Sequence, residues 1–293
     1  MSVGFVGLGM MGLPMLENLA RGGEVRLLAH DSDAARCEAL QGWPGWGQSL
    51  RWADRLEQLA EAETVILMLP NSTITTQVVE ALLPRLAPGA VIVDMGSSDP
   101  SRTQQLAARA AERGVDFVDA PVSGAVAKAR TGSLSIMLGG SDAAIERVRP
   151  LLERMGSTLI RTGAAGSAHA MKALNNYVYA AGLLAMTEAV AIAQRLQLDL
   201  RVFAQVLNAS SGRNVATETK LAQFVLPRTF NGGFQMRLQA KDLATAHGLS
   251  QRAGVPAPQL ALCAQLWPQA LAALEPDADN TAILRYVESR TPT

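Results

Sequence analysis

Cysteine is scarce in this sequence. Cys37 and Cys263 are its only two, and they lie far apart. They provide neither a disulfide framework nor the paired spacing of a thiolate metal site, so no bound metal is expected. An excess of charge of either sign is also missing. With 26 basic and 26 acidic side chains the net charge is zero. No global field then draws the chain to nucleic acid or anionic lipid, and neither is expected as a partner. No apolar run read from the sequence reaches the ~18–20 residues of a membrane span. The opening MSVGFVGLGMMG lacks the basic region of a signal peptide. The expected location is cytoplasmic. Lysine is rare too: Lys128, Lys172, Lys220 and Lys241 are the four among 26 basic residues, leaving 22 arginines.

What is present is a globular composition, 48% hydrophobic and 18% charged over 293 residues. That length corresponds to roughly two domains of about 150 residues each. The first half alternates short β-branched runs with helical patterns. Residues 3–7, 25–29, 64–69, 90–94, 116–118 and 134–138 are expected as strands, nearly continuous in apolar character, as parallel strands buried on both faces are. Helices are expected at 11–21, 33–41, 74–85, 101–113 and 142–155. This alternation predicts an α/β doubly wound sheet. The pattern changes after Thr162-Gly163. Residues 167–196 contain no proline and one glycine, Gly182. About thirty helical residues would span about 45 Å, long enough for a spine between two domains. Beyond it the chain reads as helices only, including 242–251 and a last one at 281–288. The expected division is a dinucleotide-binding domain at 1–162 and an all-helical domain at 163–293.

Gly7-Leu8-Gly9-Met10-Met11-Gly12 is a GxGxxG that follows a predicted strand and opens a predicted helix. In that context the first glycine permits the turn, the second lets a pyrophosphate approach, and the third lets helix and strand pack closely. The helix N-terminus adds N–H groups and partial positive charge. Asp31 follows Gly12 by 19 residues, where a carboxylate can accept hydrogen bonds from the adenosine ribose and would repel a 2′-phosphate. The nearest arginine after it is Arg36. NAD is therefore the expected cofactor, with NADP possible. Asp31 can equally cap the helix expected at 33–41. Leu69-Pro70-Asn71 and Gly96-Ser97-Ser98 end two further strands, where open parallel sheets bind ligands. Each can also be an ordinary turn.

Asp119-Ala120-Pro121-Val122-Ser123-Gly124 runs from a strand end into a Ser-Gly turn whose N–H groups and hydroxyl suit a carboxylate, although a plain turn fits as well. On the long helix, Lys172 and Asn176 are four apart and share a face. Buried beside a cofactor, such a lysine becomes a proton donor; turned to water, it is an ordinary helix charge. Lys241-Asp242 opens the helix expected at 242–251 and is open to the same two readings.

In this order the motifs resemble those of the β-hydroxyacid dehydrogenases, the relatives of 3-hydroxyisobutyrate dehydrogenase. The resemblance rests on GFVGLGMMGLPM (residues 4–15), DAPVSGA (119–125), GSAHAMKALNN (166–176) and Lys241-Asp242, and extends over essentially the whole chain. It implies a Rossmann-type domain followed by an all-helical domain of the 6-phosphogluconate dehydrogenase C-terminal type, and a hydride exchanged between NAD(P) and a small 3-hydroxy acid or its semialdehyde. It implies that Gly7, Gly9, Gly12 and Lys241 serve the cofactor, where Leu8, Met10, Met11, Asp31, Leu69, Pro70 and Ser97 are also expected from their places in the turn and at the strand ends. Ser123, Gly124 and Ala125 would serve the substrate carboxylate, and Lys172 and Asn176 catalysis and substrate placement. It also implies a homo-dimer or homo-tetramer. Two stretches depart from the family pattern: Ala125 stands where a second glycine is usual, and Gly96-Ser97 where a Ser-Thr pair is. Arg213 either assists an acidic substrate or is a surface arginine. The other readings are a tartronate or succinic semialdehyde reductase, an imine reductase, and a cofactor-binding scaffold without chemistry; Lys172 and Asn176 speak against the last.

Asp31 without an adjacent arginine generates the first prediction. Catalytic efficiency measured with both reduced cofactors should be higher with NADH than with NADPH, and the reverse order would overturn this reading of Asp31.

Overall fold

The computed structural model describes residues 1–21 and 23–290. It divides into two compact units, Met1–Lys172 and Ala173–Thr293. Strands of the first unit are β1 (Ser2–Val6), β2 (Arg26–His30), β3 (Leu50–Trp52), β4 (Thr64–Leu67), β5 (Val91–Asp94), β6 (Asp116–Asp119), β7 (Val122–Ser123), β8 (Leu134–Gly139) and β9 (Gly156–Gly163). Its helices are α1 (Gly12–Ala20), α2 (Ser72–Leu82), α3 (Pro100–Ala111), α4 (Ala125–Arg130) and α5 (Asp142–Met155), and α6 (Ser167–Arg195) begins there. The strands form one sheet in the order β3-β2-β1-β4-β5-β6-β8-β7, with β9 paired to β8.

From β3 to β6 every pairing is parallel, whereas β8 runs antiparallel to β6 and β7. Alternation along each strand explains why the apolar runs are continuous. Phe5, Ile66, Val93 and Val118 face one side, packed with Leu16 and Leu19 of α1 and with Ile145 and Val148 of α5. Their neighbours Val6, Val65, Ile92 and Phe117 face the other, with Val79 and Leu82 of α2 and Leu106 of α3. Both faces are covered, so a polar residue in place of Val65, Ile66, Ile92 or Val93 would be buried among apolar side chains. The strand order reverses between β2-β1 and β4-β5, which places a switch point at the C-terminal ends of β1 and β4.

In the second unit α6 continues, followed by α7 (Leu200–Ala209), a π-helix (Thr217–Val225), α8 (Met236–Arg252), α9 (Pro258–Ala273), a 3-10 turn (Asn280–Ala282) and α10 (Ile283–Ser289). Leu183, Val190, Leu243, Leu260, Trp267 and Ile283 form its core. Among the described residues it has no strand, only an isolated bridge between Gln235 and Asp279.

Several expectations change. Strands β3, β7 and β9 and helix α4 were not expected. Residues 33–41 hold a 3-10 helix (Ala34–Leu40), not an α-helix, cut short before Gly42 and Pro44. The helix expected at 242–251 starts six residues earlier, at Met236. Lys241 and Asp242 thus sit inside a helix and do not open it. Contrary to the sequence reading, α6 is by length and composition apolar enough to cross a bilayer. Its apolar side chains Ala180, Leu183, Met186 and Val190 are instead buried in the second unit's own core.

Candidate active site

At the end of β1 the chain turns through Gly7, whose φ of +97° lies in the left-handed region that favours glycine. A methyl group there would overlap the Met68 carbonyl oxygen. At Gly12 it would overlap the carbonyl oxygen of Gly7 itself, so α1 can lie this close to β1 only with hydrogen at that position. Gly9 differs: nothing lies within 4 Å of the place its Cβ would take. Two glycines therefore fold the turn, and the third leaves open space over it. The N-terminus of α1 has no side-chain cap and no acidic residue in its first turn. An unobstructed, uncapped helix start is what a pyrophosphate requires, and the residues fit a dinucleotide.

Leu8 has a fully buried side chain, and its N–H donates to Asp31 Oδ2 at 2.6 Å. Asp31 Oδ1 accepts from Asp33 N–H at 2.9 Å. The 3-10 helix that follows is capped by Asp33, which accepts from Ala35 N–H, so Asp31 is not its cap. Arg36 turns to Asp33, at 3.4 Å. Met10 is exposed, while Met11 is half-buried against the core.

The ends of β1, β4 and β5 meet. The Cδ2 of Leu69 lies 3.2 Å from where a Gly7 Cβ would be, and a Cβ at Gly96 would lie 2.7 Å from the Leu69 carbonyl oxygen. Glycine at 96 thus lets the two strand-end loops touch. Pro70 leads into Asn71, which caps α2 by accepting from Ile74 N–H at 3.0 Å. Ser97 precedes Ser98, which donates to the buried Asp94 at 2.7 Å.

Ser123 ends β7 opposite Ser135 of β8. Gly124 has φ +136°, and a Cβ there would lie 2.7 Å from the Cβ of Lys128. Ala125 has φ +55°, so the departure from glycine leaves an alanine in the left-handed region, which costs about 1–2 kcal/mol.

Lys172 and Asn176 lie on α6 one turn apart, and the boundary between the two units falls just after Lys172. Within the second unit Asn176 is buried, and its Nδ2 donates to Asp242 Oδ2 at 2.5 Å. Lys241 Nζ is 3.2 Å from Asp242 Oδ1. Gln239 Nε2 donates to the Asn176 carbonyl at 3.1 Å. Asp242 therefore joins two of the expected site residues, where the sequence reading made it only the start of a helix. Arg213 is exposed and pairs with Glu218 at 3.5 Å, the surface reading. Among the described residues no group of His, Cys, Asp or Glu could hold a metal ion.

Residues 2–163 match the NAD binding domain of 6-phosphogluconate dehydrogenase. Residues 166–287 match the NAD-binding region of NADP-dependent 3-hydroxyisobutyrate dehydrogenase. This chain belongs to the 3-hydroxyisobutyrate dehydrogenase family of NAD(P)-dependent hydroxyacid dehydrogenases. Among relatives of this family, the 2-(hydroxymethyl)glutarate dehydrogenase of Eubacterium barkeri is 34% identical over 99% of this chain and 95% of its own length. The 2-hydroxy-3-oxopropionate reductase of Escherichia coli is 33% identical over 98% and 97%. A solved Mycobacterium tuberculosis 3-hydroxyisobutyrate dehydrogenase with L-serine superposes with a TM-score of 0.86 at 29% identity, covering 99% of both chains.

The unequal surroundings of the glycines separate folding from binding. Gly9→Ala should leave the thermal midpoint within about 2 °C and weaken NADH binding at least about tenfold, read by nucleotide fluorescence. Gly12→Ala should lose the folded first unit. Equal effects of the two variants on stability would contradict this division.

Proposed function

We propose that this dehydrogenase interconverts a 3-hydroxycarboxylate of the form HOCH2–CHR–COO− with its semialdehyde. 2-(Hydroxymethyl)glutarate and L-serine, named with two relatives, both contain that unit, and 2-hydroxy-3-oxopropionate, named with a third, is its aldehyde form, so the three compounds differ in R and in oxidation level. The observation that carries the reading is a lysine and a buried asparagine one turn apart on α6.

When bound, NAD(P) supplies the redox step by taking the hydride of the carbinol carbon or returning it. Gly7, Gly9, Gly12 and Asp31 hold its adenosine diphosphate half, with Leu8, Met10 and Met11 completing that turn. Leu69, Pro70, Ser97 and Lys241 serve the rest of it. The Ser123–Gly124 turn takes the substrate carboxylate by N–H and hydroxyl donation, with the Ala125 methyl beside it. Lys172 takes the alcohol proton in oxidation and donates it to the forming alkoxide in reduction. Asn176 orients the substrate oxygen, its own amide fixed by Asp242. Asp31 favours NAD. The E. coli relative supports a second reading, an enzyme working chiefly as a semialdehyde reductase with the same residues.

Two further properties belong to this reading: a cytoplasmic location and assembly as a homo-dimer or homo-tetramer through the helical unit. That unit leaves Val178, Ile192, Val202 and Val206 each more than half exposed, apolar side chains that a second subunit would cover. Light scattering at micromolar concentration should give two or four times the chain mass of 31.0 kDa; a monomer would contradict the assembly.

Lysine at 172 is telling in a chain that otherwise prefers arginine, because an amine can exchange its proton near neutrality and a guanidinium cannot. Lys172→Ala should lower kcat by about 10²–10⁴-fold while NADH affinity and fold persist. Lys172→Arg should also lose most turnover. If Lys172→Arg turns over within threefold of wild type, the proton-transfer role is wrong.

A further inference from the structure

A buried polar cluster in the first unit has no part in the reading above. Asp94 closes β5 and Asp119 closes β6, and the two are register partners in the sheet. Both carboxylates are fully buried, and so is the imidazole of His169. Asp94 accepts from Gly96 N–H at 3.0 Å and from the Ser98 hydroxyl at 2.7 Å. Asp119 accepts from Gly166 N–H at 2.8 Å through Oδ1, and from His169 N–H at 3.0 Å through Oδ2. It thus caps the N-terminus of α6, with its charge where the helix dipole favours it.

The His169 side chain makes a second tie. Its Nδ1 lies 2.8 Å from Thr103 Oγ1 on α3, and Thr103 Oγ1 donates to the Asp99 carbonyl at 3.2 Å. A hydroxyl has one proton. The Asp99 carbonyl and Nδ1 are both within its reach, so which atom donates between Thr103 and His169 depends on the imidazole tautomer. Nε2 faces Asp94 Oδ2 at 3.8 Å. One residue is therefore held by its backbone to β6 and by its ring to α3. Two such ties fix rotation as well as position, which a helix cap alone does not. Lys172 follows three residues later, on the neighbouring strip of the same helix face. The Ser123–Gly124 turn starts four residues after Asp119, so the end of β6 leads to both.

We propose that His169 is a positioning residue for Lys172. Its tie to Thr103 sets the rotation of the first turns of α6 and so the direction in which the Lys172 amine is presented to a substrate whose carboxylate sits on the Ser123–Gly124 turn. The proposal rests on the reading of Lys172 as the proton-transfer group.

The test is a double-mutant cycle in the full-length protein. Thr103→Val and His169→Leu each remove the tie. His169→Asn keeps a hydrogen-bonding group near the position of Nδ1. Each is made in the wild type and with Lys172→Ala, and kcat, KM, NADH affinity by fluorescence and thermal midpoint are measured. Thr103→Val and His169→Leu should each lower kcat at least about tenfold, with KM within about threefold and NADH affinity within about twofold. His169→Asn should recover kcat to within about threefold of wild type. On the Lys172→Ala background, Thr103→Val should change the residual rate by less than about twofold, because nothing is left to position. If His169→Leu does not fold, the milder Thr103→Val decides. A merely structural His169 would lower the residual rate of Lys172→Ala by the same factor as in wild type, and that result overturns the proposal while the role of Lys172 stands. If Lys172→Ala alone keeps wild-type turnover, it is the role of Lys172 that fails, and the proposal falls with it.

Discussion

Asp119 ends β6 with its carboxylate fully buried and receives two backbone N–H groups from the start of α6, those of Gly166 and His169. A carboxyl group so far from water is tolerable only when its oxygens are well bonded. The start of α6 therefore cannot drift without leaving buried polar atoms unpaired. Gly139 shows how tightly the arrangement is drawn, since a Cβ there would run into the Asp119 carboxylate. One strand end thus serves as a fixed origin. Forward along the chain it leads to the Ser123–Gly124 turn, and across space it leads to the helix that carries Lys172.

The same economy holds at the dinucleotide turn. Gly7 and Gly12 are demanded by the backbone itself, because a methyl group at either would collide with a carbonyl oxygen. At Gly9 a methyl group would meet nothing among the described residues. A glycine with no internal reason is best explained by what comes from outside. Asp31 adds a further constraint, since it receives the N–H groups of both Leu8 and Asp33.

Much of this was legible in residue order alone. Strands buried on both faces leave apolar runs, and a GxGxxG after the first of them leaves little freedom, so β1, β4, β5 and the α1 turn stood out. Other elements left no such trace. β7 has two residues and β3 three, too few for any period. β9 is largely exposed, and Ser157, Thr158 and Arg161 give it the look of a linker. Helix α8 starts without a side-chain cap, so the acidic residue at 242 passed for a helix start when it is a buried partner of Asn176 and Lys241. His169 and Asp119 are 50 residues apart, and His169 and Thr103 are 66 apart. No local pattern announces such ties; only the folded chain does.

The central claim is that an amine at position 172 moves the substrate proton, and chemical rescue tests it most directly. Lys172→Ala leaves space where the side chain stood, into which a small primary amine can diffuse. With saturating cofactor and substrate, the turnover of this variant should rise with added methylamine or ethylamine and should track the basicity of the amine, while guanidine at equal concentration does nothing. Equal stimulation by guanidine, or none by any amine in a variant that still folds and binds NADH, would contradict the account.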